Sequence, residues 1–249
     1  MAYGVFAEFY DSLTENVDYK AKAEYICKIC EKFSHEPVCV LDLACGTGTL
    51  TAELKKRGWD IYGADSSVEM LTQAQQKCAE QDLDILFLRQ KMQSLDLYGT
   101  INTCVCTLDS INHLDGSIQV QKAFDRVGAF TEKDGLFIFD VNTVYKHRNI
   151  LADNTFVFDT DNVFCVWQNT YNDKDNSVDM ELDFFIPEND VYIRSSEYIK
   201  EYAYTEEQIT QMLNKSGFVV LAVYDDLSFD SIKEDSQRLT FVAKKNNSE

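Results

Sequence analysis

A glycine pair follows a short apolar run near the start of the chain, and one carboxylate lies inside that run. The segment reads VLDLACGTGTL from Val40 to Leu50, with Asp42 in the run and Gly46 and Gly48 in the turn. Glycines at such a turn allow backbone N–H groups and a helix N-terminus to approach a ligand closely. A carboxylate a few residues earlier is better placed beside a positively charged ligand than beside a diphosphate.

Two classes of cofactor use a turn of this kind. Dinucleotide sites favour a third small residue at the position that Thr51 occupies here. S-adenosylmethionine carries a sulfonium and an ammonium, which Asp42 could meet. Asp65, 19 positions after Gly46, is placed to accept hydrogen bonds from the ribose hydroxyls of either class. The residues favour S-adenosylmethionine, disfavour an NAD-dependent oxidoreductase, and leave an ordinary turn without a ligand as the plain alternative.

Strands and helices alternate along the first part of the chain and again at its end. Short apolar runs predict strands at 38–44, 60–65, 84–88, 101–106, 135–141, 218–226 and 238–245. Helical spacing is found between them at 19–33, 49–58, 68–81, 117–133 and 206–217. Capping boxes at Ser66-x-x-Glu69 and Thr205-x-x-Gln208 mark two helix starts. The pattern predicts an α/β fold with a doubly wound, mostly parallel sheet.

Residues 142–203 depart from this pattern. They contain apolar segments with partial period-two alternation, separated by polar turns, which predict an antiparallel β insert after strand five. We expect one domain over 1–249, with 1–141 and 204–249 as the core and the insert as a lid, substrate or dimer element. Trp167 and Tyr171 of the insert are candidate substrate contacts, and the insert's own core or a dimer interface is the alternative for these aromatics.

The composition restricts the partners. The net charge is −19, with 42 acidic and 23 basic residues, which argues against nucleic acid and favours a cationic or neutral small substrate. No export signal or membrane-length apolar stretch is found, so we expect a cytoplasmic protein without a membrane partner. The eight cysteines predict buried thiols, and Cys27 and Cys30 lack the second ligand pair of a zinc site, so we expect no metal.

The glycine turn and the segment around Asp65 are the most informative motifs. LDLACGTG (41–48) and GADSSVEML (63–71) resemble the class I S-adenosylmethionine-dependent methyltransferases. The opening resembles a bacterial branch that modifies small molecules, through Tyr3, Phe6, Ala7, Tyr10 and Asp11. GLFIFDVNT and SQRLTFVAKK resemble later strands of the family. The resemblance implies a Rossmann-like, seven-stranded sheet and methyl transfer to N or O of a small-molecule acceptor, with a homodimer through the insert as one expectation.

The same resemblance implies roles for residues around the cofactor. Ala44, Gly46 and Gly48 would lie along its methionine part, Asp65 would hold the ribose, and Ser66 and Met70 would flank the adenosine. Tyr10, Met92 and Leu108 complete the expected cofactor contacts. The family usually has an acid before the methionine after strand three, where this chain has Lys91. Lysine cannot accept a hydrogen bond from the adenine amino group, so Gln90 or backbone would have to replace it.

The segment after the fourth strand is the first place to look for acceptor contacts. Ligands of open α/β sheets bind beyond the carboxyl ends of the strands, which here brings in Asp109, Asn112 and His113. Asp109 and His113 are the candidate catalytic residues and Asn112 a candidate substrate contact, while capping a turn is the alternative for Asp109 and Asn112. Methyl transfer from a sulfonium depends chiefly on positioning, so a base is not essential. A non-catalytic cofactor-binding regulatory protein stays the alternative function.

The role of Asp65 generates a first prediction. Asp65→Ala removes a charged acceptor of the ribose hydroxyls, so we expect S-adenosylmethionine affinity to fall by about one to two orders of magnitude. Isothermal titration calorimetry measures this directly, and unchanged binding would contradict the assignment.

Overall fold

The computed structural model describes residues 4–246, so the expected role of Tyr3 lies outside the described residues. The helices are α1 Gly4–Leu13, α2 Tyr19–Lys32, α3 Thr49–Lys56, α4 Val68–Glu80, α5 Ser117–Phe130 and α6 Glu206–Lys215, with a 3₁₀ turn at Met92–Ser94 and a π-helical turn at Lys146–Leu151. The strands are β1 Val40–Leu43, β2 Ile61–Asp65, β3 Phe87–Arg89, β4 Ile101–Cys106, β5 Thr131–Asn142, β6 Thr155–Asp159, β7 Phe164–Asn172, β8 Ser177–Glu188, β9 Val191–Tyr202, β10 Phe218–Asp225 and β11 Arg238–Lys245.

Seven strands form the main sheet, in the order β10-β11-β5-β4-β1-β2-β3. Neighbours from β5 to β3 are parallel, and β11 runs antiparallel to both β5 and β10. The predicted Rossmann-like, mostly parallel seven-stranded sheet is confirmed. The strand order reverses between β1 and β4, and the crevice at such a reversal is where ligands of these folds bind.

Apolar side chains cover both faces of this sheet. Every residue of β1 is buried, including Asp42, as expected for a short strand covered on two sides. One face packs against α5 and α6 through a group of fully buried phenylalanines, Phe124, Phe137, Phe139, Phe218 and Phe241. The other face packs against α2 and α3 through Ile26, Ile29 and Leu54. The carboxyl ends of the strands are therefore held in fixed relative positions.

Helix starts follow the sequence signals with one correction. The predicted capping box of α6 is present, with Thr205 and Gln208 each accepting the other's backbone N–H. The predicted cap of α4 at Ser66 is wrong by one residue, because Ser67 Oγ accepts the N–H of Met70. The reason lies in Asp65, whose Oδ1 accepts the N–H of Ser67 at 2.8 Å and so holds the residue that caps the helix.

Strand β3 and the junction of α5 with β5 also differ from the predictions. Strand β3 begins at Phe87 rather than at Asp84, because its pairing with β2 starts where Phe87 lies opposite Gly63. Helix α5 ends at Phe130 rather than at 133. Thr131 is the first residue of β5 and pairs with Ile101 of β4, which places it outside the helix.

The insert forms a second, four-stranded antiparallel sheet in the order β6-β7-β8-β9. One of its faces packs against α1, where the rings of Phe9 and Phe184 stack at 6.5 Å. On the edge strand β9, Tyr192 and Tyr198 are exposed. Dimerisation through the insert stays a prediction. No helix within residues 4–246 combines the length and apolarity needed to cross a bilayer.

Helix α1 connects the insert to the glycine turn. Glu197 of β9 accepts the backbone N–H groups of Val5 and Phe6 at 2.8 and 2.9 Å, which caps the start of α1. Near the other end, Asp11 accepts a hydrogen bond of 2.7 Å from Thr47 in the glycine turn. Lys77 of α4 contacts the same Asp11 at 2.5 Å. A displacement of α1 would therefore affect both the insert and the turn.

The two glycines of the turn are expected to respond differently to substitution. A Cβ on Gly48, whose φ is +70°, would lie 2.9 Å from Ala74 Cβ and 3.1 Å from the Phe87 ring. Gly46 has φ +53° and nothing within 4 Å of the same position. We expect Gly48→Ala to lower the free energy of unfolding by about 2 kcal/mol and Gly46→Ala by about 1 kcal/mol or less, measured by urea denaturation. Equal losses would contradict the packing argument.

Candidate active site

Asp42 is a buried carboxylate whose partner is Thr51. Thr51 Oγ1 donates a 2.5 Å hydrogen bond to Asp42 Oδ2, and Asp42 is 2 % exposed. Burial raises the pKa of Asp42 to about 7, the Thr51 hydrogen bond opposes the rise and Asp65 adds to it. Thr51, which argues against a dinucleotide site, therefore has a specific role, because its hydrogen bond holds Asp42 in place before the glycine turn.

The turn after β1 has an unusual backbone. Ala44 has φ +58° although it is not glycine, and Gly46 follows with φ +53°. Left-handed conformations in residues other than glycine are uncommon and cluster at functional sites. The Cβ position of Gly46 faces open space, and its expected contact with the methionine part of the cofactor stays a prediction. Gly48 instead permits close packing of α3 against α4, so its expected contact with the cofactor stays a prediction.

Asp65 connects the ends of β1 and β2. Its Oδ2 accepts the N–H of Gly46 at 3.0 Å, and its Oδ1 accepts the N–H of Ser67. Burial raises its pKa, and the N–H groups of Ser67 and Gly46 act in the opposite direction. A carboxylate has about four acceptor positions, so each oxygen keeps one for a ribose hydroxyl. The geometry fits the predicted role.

The residues expected around the adenosine lie on neighbouring elements. Ser66 is exposed beside α4, Met70 is buried in its first turn, and half-buried Met92 lies 4.0 Å by sulfur–sulfur distance from Cys106. Lys91 is exposed. The side-chain amide of Gln90 bonds the backbone of Asp96 at 2.7 and 2.6 Å, which favours a backbone group as the adenine partner. The individual adenine contacts stay predictions.

A narrow cavity joins the glycine turn to the segment after β4. Tyr10 of α1, Tyr19 of α2, Asp42, Ala44 and Leu108 all contribute to its wall. Burial raises the pKa of Tyr10 well above its usual value, with further contributions from Tyr19 and Asp109. The hydroxyl of Tyr10 is therefore neutral and lies on the Asp109 side of the cavity.

The turn after β4 is held by a carboxylate of the neighbouring strand. Leu108 and Asp109 both have left-handed backbone, with φ +56° and +53°. Asp140 of β5 accepts the N–H of Leu108 at 3.0 Å and the N–H of Asp109 at 2.7 Å. Two successive left-handed residues are strained, and these hydrogen bonds offset the strain. The hydrogen bonds to Asp140 therefore fix the position of Asp109.

Arg238, the first residue of β11, neutralises these acids. Its Nη1 lies 3.0 Å from Asp109 Oδ1 and 2.6 Å from Asp140 Oδ1, and Lys22 of α2 lies 3.1 Å from Asp140 Oδ2. Burial disfavours ionised Asp109, but Arg238 and Lys146 outweigh burial and hold the pKa of Asp109 well below its usual range. Asp109 is therefore a carboxylate at every physiological pH.

The other oxygen of Asp109 leads into the insert. Asn142 Nδ2 donates to Asp109 Oδ2 at 2.6 Å and to Glu201 of β9 at 3.0 Å. Glu201 also lies 3.4 Å from His113 Nε2 and 3.3 Å from His147 Nε2. Asp109, His113 and Glu201 each offer one potential metal-ligand atom, and these three atoms lie within 4.8 Å of one another. The positively charged Arg238 already contacts Asp109 and would repel a metal ion there, so we propose no metal site.

His113 presents one nitrogen without a protein partner. A carboxylate can only accept, so Glu201 places the proton of a neutral imidazole on Nε2 and the lone pair on Nδ1. His113 Nδ1 is buried and forms no hydrogen bond to any residue within 4–246. The structure thus brings both candidate catalytic residues, Asp109 and His113, into one polar cluster.

The three candidate substrate residues lie elsewhere. Asn112 is fully buried, its amide nitrogen donates to the carbonyls of Asn142 and Tyr202, and its oxygen accepts the N–H of Asn142. Trp167 packs with the rings of Phe156 and Phe158 in the insert. The hydroxyl of Tyr171 bonds Asn176. These are contacts within the protein, so acceptor contacts by these residues stay predictions.

Sequence reasoning missed several members of the cluster. They are Lys22, Asp140, Asn142, Lys146, His147, Glu201 and Arg238. Asp140 and Asn142 stand at the end of the predicted fifth strand, so the rule that led to Asp109 could also have found them. Arg238 and Glu201 are remote in sequence and carried no comparable signal.

Comparison with known proteins identifies the class. Residues 40–135 match the family model described as Methyltransferase domain. A protein of Geobacillus sp. (strain WCH70), whose name assigns it as a methyltransferase, is 32 % identical over 98 % of this chain and 100 % of its own length. A crystal structure of an S-adenosylmethionine-dependent methyltransferase from Clostridium acetobutylicum ATCC 824 aligns with TM-score 0.88 and 33 % identity, covering 98 % of this chain and 99 % of that one.

A more distant relative has a more specific name. The dTDP-3-amino-3,6-dideoxy-alpha-D-glucopyranose N,N-dimethyltransferase of Streptomyces fradiae is 26 % identical over 55 % of this chain and 53 % of its own length. The chain belongs to the S-adenosylmethionine-dependent methyltransferases, which confirms the resemblance, the enzyme class and the cofactor. The alternative of an NAD-dependent oxidoreductase is wrong.

The buried state of Asp42 generates a prediction about stability and binding. Its raised pKa means that the folded protein loses stability as pH rises from about 4, the usual value, to about 7. Asp42→Asn should therefore raise the free energy of unfolding at pH 8 by roughly 2–4 kcal/mol, and weaken S-adenosylmethionine binding about tenfold or more. Urea denaturation and calorimetry measure the two effects.

The wild-type protein provides an internal control for that prediction. Protonated Asp42 cannot attract a cation, so affinity for S-adenosylmethionine should rise as pH increases through about 7 in the wild type, with no such rise in Asp42→Asn. The same pH dependence in both proteins would contradict the role of Asp42.

Proposed function

We propose that the protein transfers the methyl group of S-adenosylmethionine to the nitrogen of a small-molecule amine. The ionised Asp109, which follows Leu108 of the crevice wall in the same turn, carries the proposal. Methylation of a neutral amine moves positive charge from sulfur to nitrogen, and a carboxylate held at that nitrogen stabilises the charge as it develops. The net charge of −19 and the N,N-dimethyltransferase name of the Streptomyces fradiae relative support an amine.

Asp109 acts in this scheme as an electrostatic partner. The amine nitrogen attacks the methyl carbon, the C–N bond forms as the C–S bond breaks, and S-adenosylhomocysteine leaves. Because its pKa is depressed, Asp109 is a poor proton acceptor and a good counter-ion. Arg238, Asn142 and the N–H bonds from its own turn to Asp140 hold its orientation. Most of the catalysis then comes from positioning.

His113 supplies the proton acceptor in the proposal. An amine that arrives as an ammonium must lose one proton before it can attack. The free lone pair on Nδ1 of His113 can take it, and Glu201 beside Nε2 stabilises the imidazolium that results. Because Nδ1 is buried, the proton returns to solvent after the product has left and water enters the crevice.

Helix α1 covers the reacting groups in the same proposal. Tyr10 lies in the wall between the glycine turn and Leu108, and Glu197 and Thr47 hold α1 at its two ends. Covering the crevice in this way excludes water from the sulfonium. The insert contributes through Glu197 and Glu201, so we propose that it acts as a lid and as a substrate element.

The proposal predicts a specific loss of turnover. Asp109→Asn keeps the size of the side chain and removes its charge, so kcat/KM for amine methylation should fall about 100-fold while S-adenosylmethionine affinity changes less than about threefold. Turnover is measured as S-adenosylhomocysteine release with a panel of amines, phenols and carboxylic acids. Asp84→Asn, an exposed acid remote from the site, is the matched control.

Two outcomes would contradict the proposal. Methylation of phenols or acids in preference to every amine would make the acceptor atom oxygen. Tight cofactor binding with no turnover across the panel would support the non-catalytic alternative.

A further inference from the structure

A second, wider cavity lies beside the Asp109 cluster. It has a volume of about 410 Å³ and lies between the π-helical turn after β5 and the connection from β10 to β11. The cavity is lined by Lys146, Asp225, Asp226, Lys233, Asp235, Ser236, Gln237 and Arg238. This volume is within the range of small-molecule sites, and the lining is polar.

The cavity and the Asp109 cluster share residues. Arg238 lines the cavity and its Nη1 contacts Asp109 at 3.0 Å. Lys146 donates to Asn142 Oδ1 at 2.9 Å, and Asn142 donates to Asp109. A small amine with its nitrogen at Asp109 can therefore extend into the cavity.

Lys146 is a cation without a carboxylate partner. Its side chain is half-buried, and no carboxylate within residues 4–246 lies within 4.0 Å of Nζ. The bond to Asn142 uses one of its three N–H groups. Burial and Arg238 lower the pKa of Lys146, whereas the charges of Asp109, Glu201 and Asp140 act in the opposite direction. An anion in the cavity would give the ammonium a direct partner.

Three acids also line the cavity, and two of them have cationic neighbours. Asp226 lies 3.8 Å from Arg238 Nε and 3.6 Å from Lys22, and Asp225 lies 3.9 Å from Lys233. Asp235 is exposed, so water screens its charge. In the part of the chain that the structure describes, Arg238 Nη2 has no hydrogen bond, which leaves one edge of the guanidinium for a ligand oxygen.

We infer that this cavity binds an acidic group of the methyl acceptor, a carboxylate or a phosphate, through Lys146 and Arg238. The acceptor is then a zwitterion, with its amine at Asp109 and its anionic oxygens at Lys146. The inference rests on the proposed function for the position of the amine, whereas the anion site itself can be tested without turnover.

The test measures anion binding directly. Protein saturated with S-adenosylhomocysteine is titrated with sodium phosphate or sodium acetate, with sodium chloride holding the ionic strength constant, and the melting temperature gives the apparent affinity. We expect phosphate or acetate, or both, to raise the melting temperature of the wild type more than chloride does. Lys146→Gln keeps a hydrogen-bond donor but removes the charge, so it should lower the affinity for that anion about tenfold. Lys146→Arg should retain the binding.

The controls separate the alternatives. Lys244→Gln changes an exposed lysine of β11 that pairs with Asp134, and it should behave as the wild type. Lys146→Met replaces Lys146→Gln if the latter melts without cooperativity. Preference for phosphate indicates a phosphorylated amine, and preference for acetate an amino acid. If neither anion exceeds chloride, or if the neutral variants bind as the wild type does, the inference is overturned.

Turnover distinguishes this inference from the proposed function. Amines with and without an acidic group, such as glycine and methylamine, are compared in the methylation assay. The inference is supported if the wild type has a lower KM for glycine than for methylamine and if Lys146→Gln abolishes that difference. Anion binding that depends on Lys146 together with no methylation of any amine contradicts the proposed function and leaves the anion site standing.

Discussion

The buried carboxylate of Asp140 is the interaction on which the arrangement of the site depends. It accepts two backbone N–H groups from the turn after β4 and contacts Arg238 of β11 and Lys22 of α2. A charge that is 1 % exposed costs several kcal/mol to bury unless its partners are complete. The partners come from three separate parts of the chain, so the position of Asp109 depends on the assembly of the whole sheet.

Asp42 of β1 and Asp109 of the turn after β4 have pKa values shifted in opposite directions. Burial raises the pKa of Asp42 to about 7, whereas nearby cations hold that of Asp109 well below its usual range. Environments that separate the pKa values of two carboxylates commonly mark different chemical roles. In the proposed function, Asp42 belongs to the cofactor side, where a cation can draw it into the ionised form. Asp109 is ionised already and, in the same proposal, belongs to the side from which an amine approaches.

Much of the fold could be predicted from the sequence, because local patterns determine it. The apolar run of β1, the glycine turn and the capping box at Thr205 depend on residues close in sequence. The cap of α4 was misplaced by one residue because Asp65 binds the N–H of Ser67, a contact that a capping motif does not encode. The strand-end rule found Asp109 and His113. It could not find Arg238 or Glu201, because their positions depend on the pairing of β11 with β5 and on the insert.

A crystal structure with S-adenosylhomocysteine bound tests the central claim most directly. The account predicts that the homocysteine lies along Gly46, that both ribose hydroxyls contact Asp65, and that the sulfur faces the space bordered by Asp109 and His113. A sulfur directed away from Asp109, with Tyr10 or another side chain between them, would contradict it.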